Sequence, residues 1–263
     1  MALREPLLAF WRAWGELNPV CMETRWGQIV TDARFPRVWE SNRAAVLRRH
    51  DRAPATEIRQ VLLPALRAAG AEFETVELWD PPAWCPALEE LAVGAEEVGR
   101  DVVMVFRGRA AEPAPIGSAV EVREIREPGR GFWKVYRDSR NEFGDQMSRE
   151  TLRQLVRRDR EVLVPAGLRL FGGFVEGELA GFASLISLRR VGYVDNVVTL
   201  PAFRRRGVAS AITVRAVRAS RDAGDRAVNL LAEEGSGPQR LYQRLGFRVE
   251  ASVVTVTNKL GRG

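Results

Sequence analysis

A short turn rich in arginine and glycine is the part of this sequence best suited to chemistry. The segment Arg204-Arg-Arg-Gly207-Val-Ala209-Ser210 joins a predicted strand to a predicted helix. The first backbone N–H groups of such a helix have no intrahelical partner, and the helix dipole adds positive charge beside them. Together with the arginine side chains they suit phosphate oxygens. Gly207 lets a phosphate approach the backbone closely, so the segment predicts a site for a phosphate-bearing ligand.

Two motifs make this prediction more specific. The turn fits the pattern Arg/Gln-x-x-Gly-x-Gly/Ala at residues 204–209, and Pro201 lies between it and the preceding strand. A second motif, Arg240-Leu-Tyr-Gln-Arg-Leu-Gly-Phe247, follows further along the chain. The two motifs in this order resemble those of the GNAT superfamily of acetyl-CoA-dependent N-acetyltransferases, and the resemblance covers about residues 117–263.

The resemblance implies that acetyl-CoA is the cosubstrate, with its pyrophosphate on the turn, and that no metal takes part. The strand before the turn is similar to the one whose backbone N–H polarises the thioester carbonyl in this family, which stabilises an oxyanion. A primary amine of a small molecule or peptide would attack that carbonyl directly. The implied cofactor-binding residues are Val197, Val198, Thr199, Arg204, Arg205, Arg206, Gly207, Val208, Ala209 and Ser210.

Tyr242 matches the family tyrosine that protonates the departing CoA thiolate. A phenol is suitable because it stays protonated at neutral pH, although a role as a core aromatic of its helix is the alternative. The attacking amine must be neutral, so a group has to take its proton. The candidates are Asp195 first, as base or amine anchor, and then Glu233 or Glu234, all of which lie near the predicted cleft.

One position departs from the family pattern. The Asn that is common seven residues before the tyrosine is Gly235 here, and Pro238 stands where a small residue is usual. The contact of that Asn to the cofactor must therefore be lost or supplied by the backbone. The departure slightly favours an alternative function, a non-catalytic module that binds or senses acyl-CoA, whereas Tyr242 and the carboxylates favour an enzyme.

The elements that position these motifs follow from hydrophobic periodicity. Apolar residues at 208, 212, 216, 219 and 223 predict one buried helix face directly after the turn. The second half as a whole predicts the order βααβββαβαβ, a mixed α/β fold of the GNAT type with a central sheet flanked by helices. The strands are expected at 119–125, 168–175, 179–188, 192–199, 227–232 and 249–257, and the helices at 131–143, 148–164, 208–223 and 237–245.

The helix predicted at 148–164 is rich in arginine. Its arginines are interleaved with Glu150, Asp159 and Glu161, a mixture that is typical of a solvated face. We therefore predict no role for it in binding.

The first half has weaker patterns. They predict helices at 37–49, 56–69 and 87–98 and strands at 72–78 and 101–106. Each half ends with a short helix, a glycine and a Val-Val-x-Val strand, which indicates an internal repeat. We therefore predict tandem domains: residues 1–112 as a degenerate GNAT-like copy or an accessory domain, and 117–263 as the catalytic domain. The Pro- and Gly-rich segment 107–117 would link them.

The composition excludes other classes. With 46% hydrophobic and 28% charged residues, the chain is an ordinary globular protein, and it has no apolar run near the roughly 20 residues of a membrane span. The two cysteines lie far apart without CxxC spacing. The net charge of +6 suits phosphates, but no aromatic-flanked basic stripe accompanies it, so we do not expect nucleic acid as a partner. The amino terminus lacks signal-peptide features, and we expect a cytoplasmic protein.

Overall fold

The computed structural model describes residues 4–48, 53–108, 120–140 and 147–260. The chain divides into two compact units. One comprises Met1–Val103 with Val249–Gly263, and the other Met104–Arg248.

The described residues form eleven strands and seven α-helices. The strands are β1 (Val20–Glu23), β2 (Gly27–Thr31), β3 (Arg43–Val46), β4 (Phe73–Trp79), β5 (Glu97–Phe106), β6 (Glu121–Glu124), β7 (Arg169–Val175), β8 (Glu178–Leu188), β9 (Val191–Thr199), β10 (Ala227–Glu233) and β11 (Phe247–Lys259). The helices are α1 (Glu5–Gly15), α2 (Ala55–Ala68), α3 (Pro86–Ala92), α4 (Arg130–Ser139), α5 (Arg149–Arg158), α6 (Val208–Asp222) and α7 (Gly237–Arg244). A π-helical turn, Asp159–Leu163, continues α5.

The first unit is built on strands in the order β1-β2-β3-β4-β11. β1, β2 and β3 are antiparallel neighbours, β3 and β4 are parallel, and the end of the chain returns to this unit as β11. β11 runs antiparallel to β4, from Val253 opposite Trp79 to Lys259 opposite Phe73. Its residue Val256 belongs to a buried core shared with Leu62 of α2 and Leu78 of β4. The last strand of the chain, which lies between β4 and β5, therefore belongs to the sheet and core of the first unit.

The second unit contains strands in the order β10-β9-β8-β7-β6. β6 to β9 are antiparallel neighbours, whereas β10 is parallel to β9. α6 packs on β7, β8 and β9 with Val208 and Ile212 buried. Gly173 and Gly181 make this close packing possible, because a Cβ atom would lie 2.8 Å from Ile212 at the first position and 2.9 Å from Val208 at the second.

The predicted fold class and the element order of the second half are confirmed. The periodic face of α6 is confirmed at 208, 212, 216 and 219, while Ala223 is exposed just beyond the helix. Ser148 caps α5 by accepting a hydrogen bond from the Thr151 N–H, as its position before the helix predicts. The expected linker lies almost entirely outside the described residues, and the division into two domains stays a prediction. Val249–Gly263 belongs to the first unit by its contacts, although we had placed it with the second.

The helix predicted at 37–49 is wrong. Residues Trp39–Ser41 form a 3-10 turn and Arg43–Val46 form β3, in which all four residues are buried. A strand buried on both faces loses the alternation that identifies strands in a sequence. The predicted helix at 87–98 is also too long, since α3 ends at Ala92 and β5 begins at Glu97.

No helix among the described residues is long and apolar enough to cross a membrane. The expected cytoplasmic location stays a prediction.

The contribution of β11 to the first unit can be tested by truncating one side chain. We expect Val256→Ala to lower the free energy of unfolding by about 2 kcal/mol, because a buried side chain is shortened in the core of that unit. Thr255→Ala is the matched control, since Thr255 is the partly exposed neighbour in the same strand. Urea denaturation would measure the free energy of unfolding of both variants. An equal loss in the two would contradict the placement of Val256 in the core of the first unit.

Candidate functional site

The parallel strands β9 and β10 pair over three residues only. Their register runs from Ala227 opposite Val191 to Asn229 opposite Tyr193. Both strands then continue, β9 to Thr199 and β10 to Glu233, with no further pairing between them among the described residues. Because residues 194–199 of β9 pair only with β8, backbone groups of β9 are left accessible on the other side. The strand pair thus opens into a cleft.

A β-bulge lies in β9 where the cleft opens. Phe182 of β8 is opposite Val198 and Ser184 is opposite Asp195, so β9 holds one extra residue between these pairs. Asn196 in this stretch has a φ of +52°, in the left-handed region that few non-glycine residues adopt. The bulge changes the direction of the backbone just before Val197, Val198 and Thr199, the segment expected to polarise a thioester.

A buried network of polar side chains holds Asn196 in place. The hydroxyl of Tyr136 on α4 accepts a hydrogen bond from the Asn196 amide at 2.9 Å and donates one to Asp159 at 2.7 Å. Arg140 donates to the Tyr136 hydroxyl at 3.1 Å and to the same Asp159 oxygen at 2.8 Å. Burial, and then the charge of Asp159, raise the pKa of Tyr136 well above its usual value. The phenol therefore stays protonated and keeps donating to Asp159.

The arginine-rich turn leads into α6 with the geometry that its sequence predicts. Gly207 is the N-cap residue of α6, with a φ of +80°, and Arg205 also has a positive φ, of +64°. No side chain caps α6, so its first N–H groups are not occupied by a side-chain acceptor. Arg204, Arg205 and Arg206 are exposed, Gly207 and Ala209 are partly buried, and Val208 and Ser210 are buried. This arrangement fits a phosphate ligand.

Tyr242 lies on α7 and is 6% exposed. The start of α7 is fixed by a capping box in which Ser236 accepts from the Gln239 N–H at 3.2 Å and Gln239 accepts from the Gly235 N–H at 2.6 Å. Burial and then the charge of Asp195 raise the pKa of Tyr242 above its usual value. The phenol is therefore protonated at neutral pH, as a proton donor has to be.

The predicted carboxylates differ in their surroundings. Asp195 is partly buried in β9 next to the bulge, where it accepts a hydrogen bond from the Asn196 amide at 3.1 Å, and its charge acts on Tyr242. Glu233 is the exposed last residue of β10, and Glu234 is exposed beside it. Asp195 is therefore linked to Tyr242 through its charge, whereas no such effect of Glu233 or Glu234 on the pKa of Tyr242 is found among the described residues.

Sequence reasoning missed the residues behind the bulge. Asp159 is fully buried, although the expected solvated face included it, and Arg158 beside it is 3% exposed. Tyr136 was expected only as an apolar member of its helix. A buried acidic residue within an arginine-rich helix has no local signal, because its partners Tyr136 and Arg140 lie on another helix.

Taken together, the second unit presents an open strand pair, an uncapped helix start with three arginines, and a protonated phenol near a carboxylate. These groups can hold phosphates, donate backbone hydrogen bonds to a carbonyl oxygen and exchange protons with a reacting amine and a leaving group. No group of three or more His, Cys, Asp or Glu side chains able to hold a metal is found in the described part of the chain.

Comparison with known proteins finds a family model that matches much of the second unit. Residues 131–247 match the model of the Acetyltransferase (GNAT) family. None of the curated proteins compared with the chain matches it.

Solved structures show the same fold over nearly the whole chain. A GCN5-related N-acetyltransferase from Kribbella flavida has a TM-score of 0.72 and 16% identity, covering 99% of this chain and 97% of its own. A functionally unknown conserved protein from Staphylococcus epidermidis has a TM-score of 0.72 and 13% identity, and the match covers 90% of this chain and 92% of that protein. A tandem GNAT protein from the clavulanic acid biosynthesis pathway has a TM-score of 0.57 and 16% identity, and the match covers 84% of this chain and 76% of that protein.

The left-handed conformation of Asn196 can be tested with two substitutions. Asn196→Gly and Asn196→Ala both remove the hydrogen bonds of the amide, but only alanine is strained at a φ of +52°. We expect the alanine variant to be less stable than the glycine variant by about 1 kcal/mol in urea denaturation. An alanine variant at least as stable as the glycine variant would contradict the strained bulge.

Proposed function

We propose that this chain, whose residues 131–247 match the model of the Acetyltransferase (GNAT) family, transfers an acetyl group from acetyl-CoA to a primary amine of a small molecule or protein. The observation that carries the proposal is the open end of β9 beyond its three pairs with β10, where Asp195 lies beside the bulge and its charge raises the pKa of the Tyr242 phenol. A phosphate-binding turn alone would suit many ligands. A proton donor and a carboxylate next to an open strand indicate chemistry as well as binding.

The second unit fits acetyl-CoA as cosubstrate. The uncapped start of α6 offers N–H groups to the pyrophosphate, and the left-handed Gly207 has no side chain to obstruct it. Arg204, Arg205 and Arg206 are exposed, and their guanidinium groups would make charge-assisted contacts with phosphate oxygens. Gly235 presents only backbone where the family commonly has Asn, and its N–H is already bonded to Gln239. That secondary contact to the cofactor would be absent.

Bound acetyl-CoA would supply an acetyl thioester. In the proposed reaction the amine nitrogen bonds to the carbonyl carbon, and the bond from that carbon to sulfur breaks. Backbone N–H groups of Val197, Val198 or Thr199 would donate to the carbonyl oxygen as negative charge builds on it. Asp195 would accept a proton from the amine, and Tyr242 would donate one to the departing sulfur.

Asp195 is the better candidate for the base. It is partly buried and acts electrostatically on the proton donor, whereas Glu233 and Glu234 are exposed at the end of β10. We keep Glu233 as the second candidate, because an exposed carboxylate can still receive a proton through a water molecule.

We also propose that the first unit is a degenerate GNAT-like copy. Its strands repeat the pattern of the second unit, with three antiparallel strands, a parallel partner and a helix between the last two. It contains no Arg-x-x-Gly-x-Gly/Ala turn. The similarity of the whole chain to a tandem GNAT protein supports this interpretation.

The alternative is a module that binds or senses acyl-CoA without turnover. The departure at Gly235 is the observation that favours it. A panel of amines and peptides, assayed for release of the CoA thiol, separates the two functions. Acetyl-CoA binding without thiol release from any member of the panel would favour the sensor.

Binding at the turn can be tested by thermal unfolding with and without acetyl-CoA. We expect acetyl-CoA to raise the Tm of the wild type, and Gly207→Glu to abolish the rise, because the substitution places bulk and negative charge on the phosphate site. Gly224→Glu is the matched control. It also replaces a left-handed glycine, of φ +87°, but at the other end of α6. A preserved rise in Gly207→Glu would refute the placement of the phosphates.

The role of Tyr242 can be tested with the best amine from the panel. We expect Tyr242→Phe to lower kcat by about 10²-fold or more, as removal of a general acid does. Since burial and Asp195 raise the pKa of this phenol, the wild-type group stays protonated, and the loss should be the same from pH 6 to pH 9. The KM for acetyl-CoA should change little. A kcat within twofold of the wild type would mean that water protonates the leaving sulfur.

A further inference from the structure

A groove between α4 and α5 is lined by basic side chains and by no acidic ones. It encloses about 500 Å³, and its walls come from the start of α4, from α5 and from the π-helical turn. Six of its ten lining residues are basic, and none is acidic: the basic ones are Arg130, Lys134 and Arg137 on α4 and Arg153, Arg157 and Arg160 on the opposite wall. The other four lining residues are Pro128, Gly129, Trp133 and Val156.

The two rows of cations follow from helix geometry. In each row the residues recur at i, i+4 and i+7, so they project from one face and extend over about 10 Å of helix. Neighbouring carboxylates pair with some of them from outside the groove: Asp138 with Lys134 and Arg137, Glu150 with Arg153, and Glu161 with Arg157. Three cations therefore remain in excess of these three carboxylates.

Two of the arginines lack an ion pair within the described part of the chain. They are Arg130 and Arg160, and the guanidinium of Arg160 lies 5.5 Å from the ring centroid of Trp133. Trp133 is 9% exposed and gives the groove a flat apolar surface. Guanidinium groups facing one another repel, and a ligand with several negative charges would remove that repulsion while accepting paired hydrogen bonds from them.

We infer that this groove binds a small organic polyanion, a molecule carrying two or more phosphate or carboxylate groups. The volume lies within the roughly 300 to 1,000 Å³ that small-molecule sites occupy. A groove of this size suits such a molecule better than a nucleic acid or an acidic protein segment, which would need a longer cationic surface. None of its lining residues belongs to the proposed acetyl-CoA site, so the inference does not depend on the proposed function.

Isothermal titration calorimetry of the full chain with inorganic triphosphate tests the site. With saturating acetyl-CoA present to occupy the turn before α6, we expect one triphosphate to bind per chain, with an affinity that falls as the NaCl concentration rises. The variant Arg130→Gln with Arg153→Gln should bind about tenfold more weakly, since it removes one exposed cation from each wall. The matched control, Arg67→Gln with Arg100→Gln, removes the same charge from exposed positions in the first unit and should bind within twofold of the wild type. Equal weakening in both variants, or no binding of triphosphate or citrate, would overturn the inference.

Three further measurements complete the test. Citrate in place of triphosphate distinguishes a preference for carboxylates from one for phosphates, and binding of either supports the site. A 20-nucleotide single-stranded DNA that binds at least tenfold more tightly than triphosphate, and is weakened by the same groove variant, would overturn the small-molecule class. An unchanged Tm in both double variants confirms that they remain folded.

Discussion

The candidate site depends on one constraint: β9 and β10 pair over three residues and then separate. Buried backbone N–H and C=O groups need partners, so a strand that leaves its neighbour must offer those groups to another chain, to water or to a ligand. β9 can do this because its other edge stays paired with β8 as far as Thr199. The strand is therefore held firmly on one side and is open on the other.

The bulge at Asn196 requires support from outside the sheet. A non-glycine residue in the left-handed region costs about 1–2 kcal/mol, and the conformation persists only where surrounding contacts hold it. The amide of Asn196 reaches the Tyr136 hydroxyl, which is bonded to Asp159, and Asp159 is paired with Arg140. Removing one member would leave a buried charge or donor without its partner, which is more costly than the net gain from a single hydrogen bond. This explains why α4 and the π-helical turn, remote in sequence, belong to the site.

Local patterns made part of this architecture predictable. The turn before α6 could be identified because a left-handed N-cap needs glycine and because the apolar face repeats from 208 to 219. Tyr242 could be placed on a helix that ends at Gly246, whose φ is +100°. The roles that the family resemblance implies for these residues remain proposals. The sequence patterns predicted only that the turn precedes a helix and that Tyr242 lies on one.

Long-range contacts account for what the sequence did not reveal. β3 was taken for part of a helix because all four of its residues are buried, so no polar and apolar alternation marks it. Asp159 was taken for a solvated residue because its neighbours in sequence are arginines, whereas Tyr136, 23 residues earlier, satisfies it. The arginines of α5 were likewise considered only with their neighbours along the chain and not with those of α4. Only the packing of the two helices shows that they line one groove.

The first unit shows how the same strand order can lack a cofactor site. β3 stays paired with β4 up to its last residue, Val46, so no open strand edge forms there. α2 begins after Pro54, whose φ of −62° gives an extended N-cap instead of the left-handed one at Gly207. Glu57 lies in the first turn of α2, where it is paired with Arg25. Its carboxylate therefore lies near the helix start, where a phosphate would have to bind. Each of these differences removes one condition that the proposed acetyl-CoA site of the second unit meets, and together they agree with the proposal that the first unit, which includes β11 from the end of the chain, is a degenerate copy.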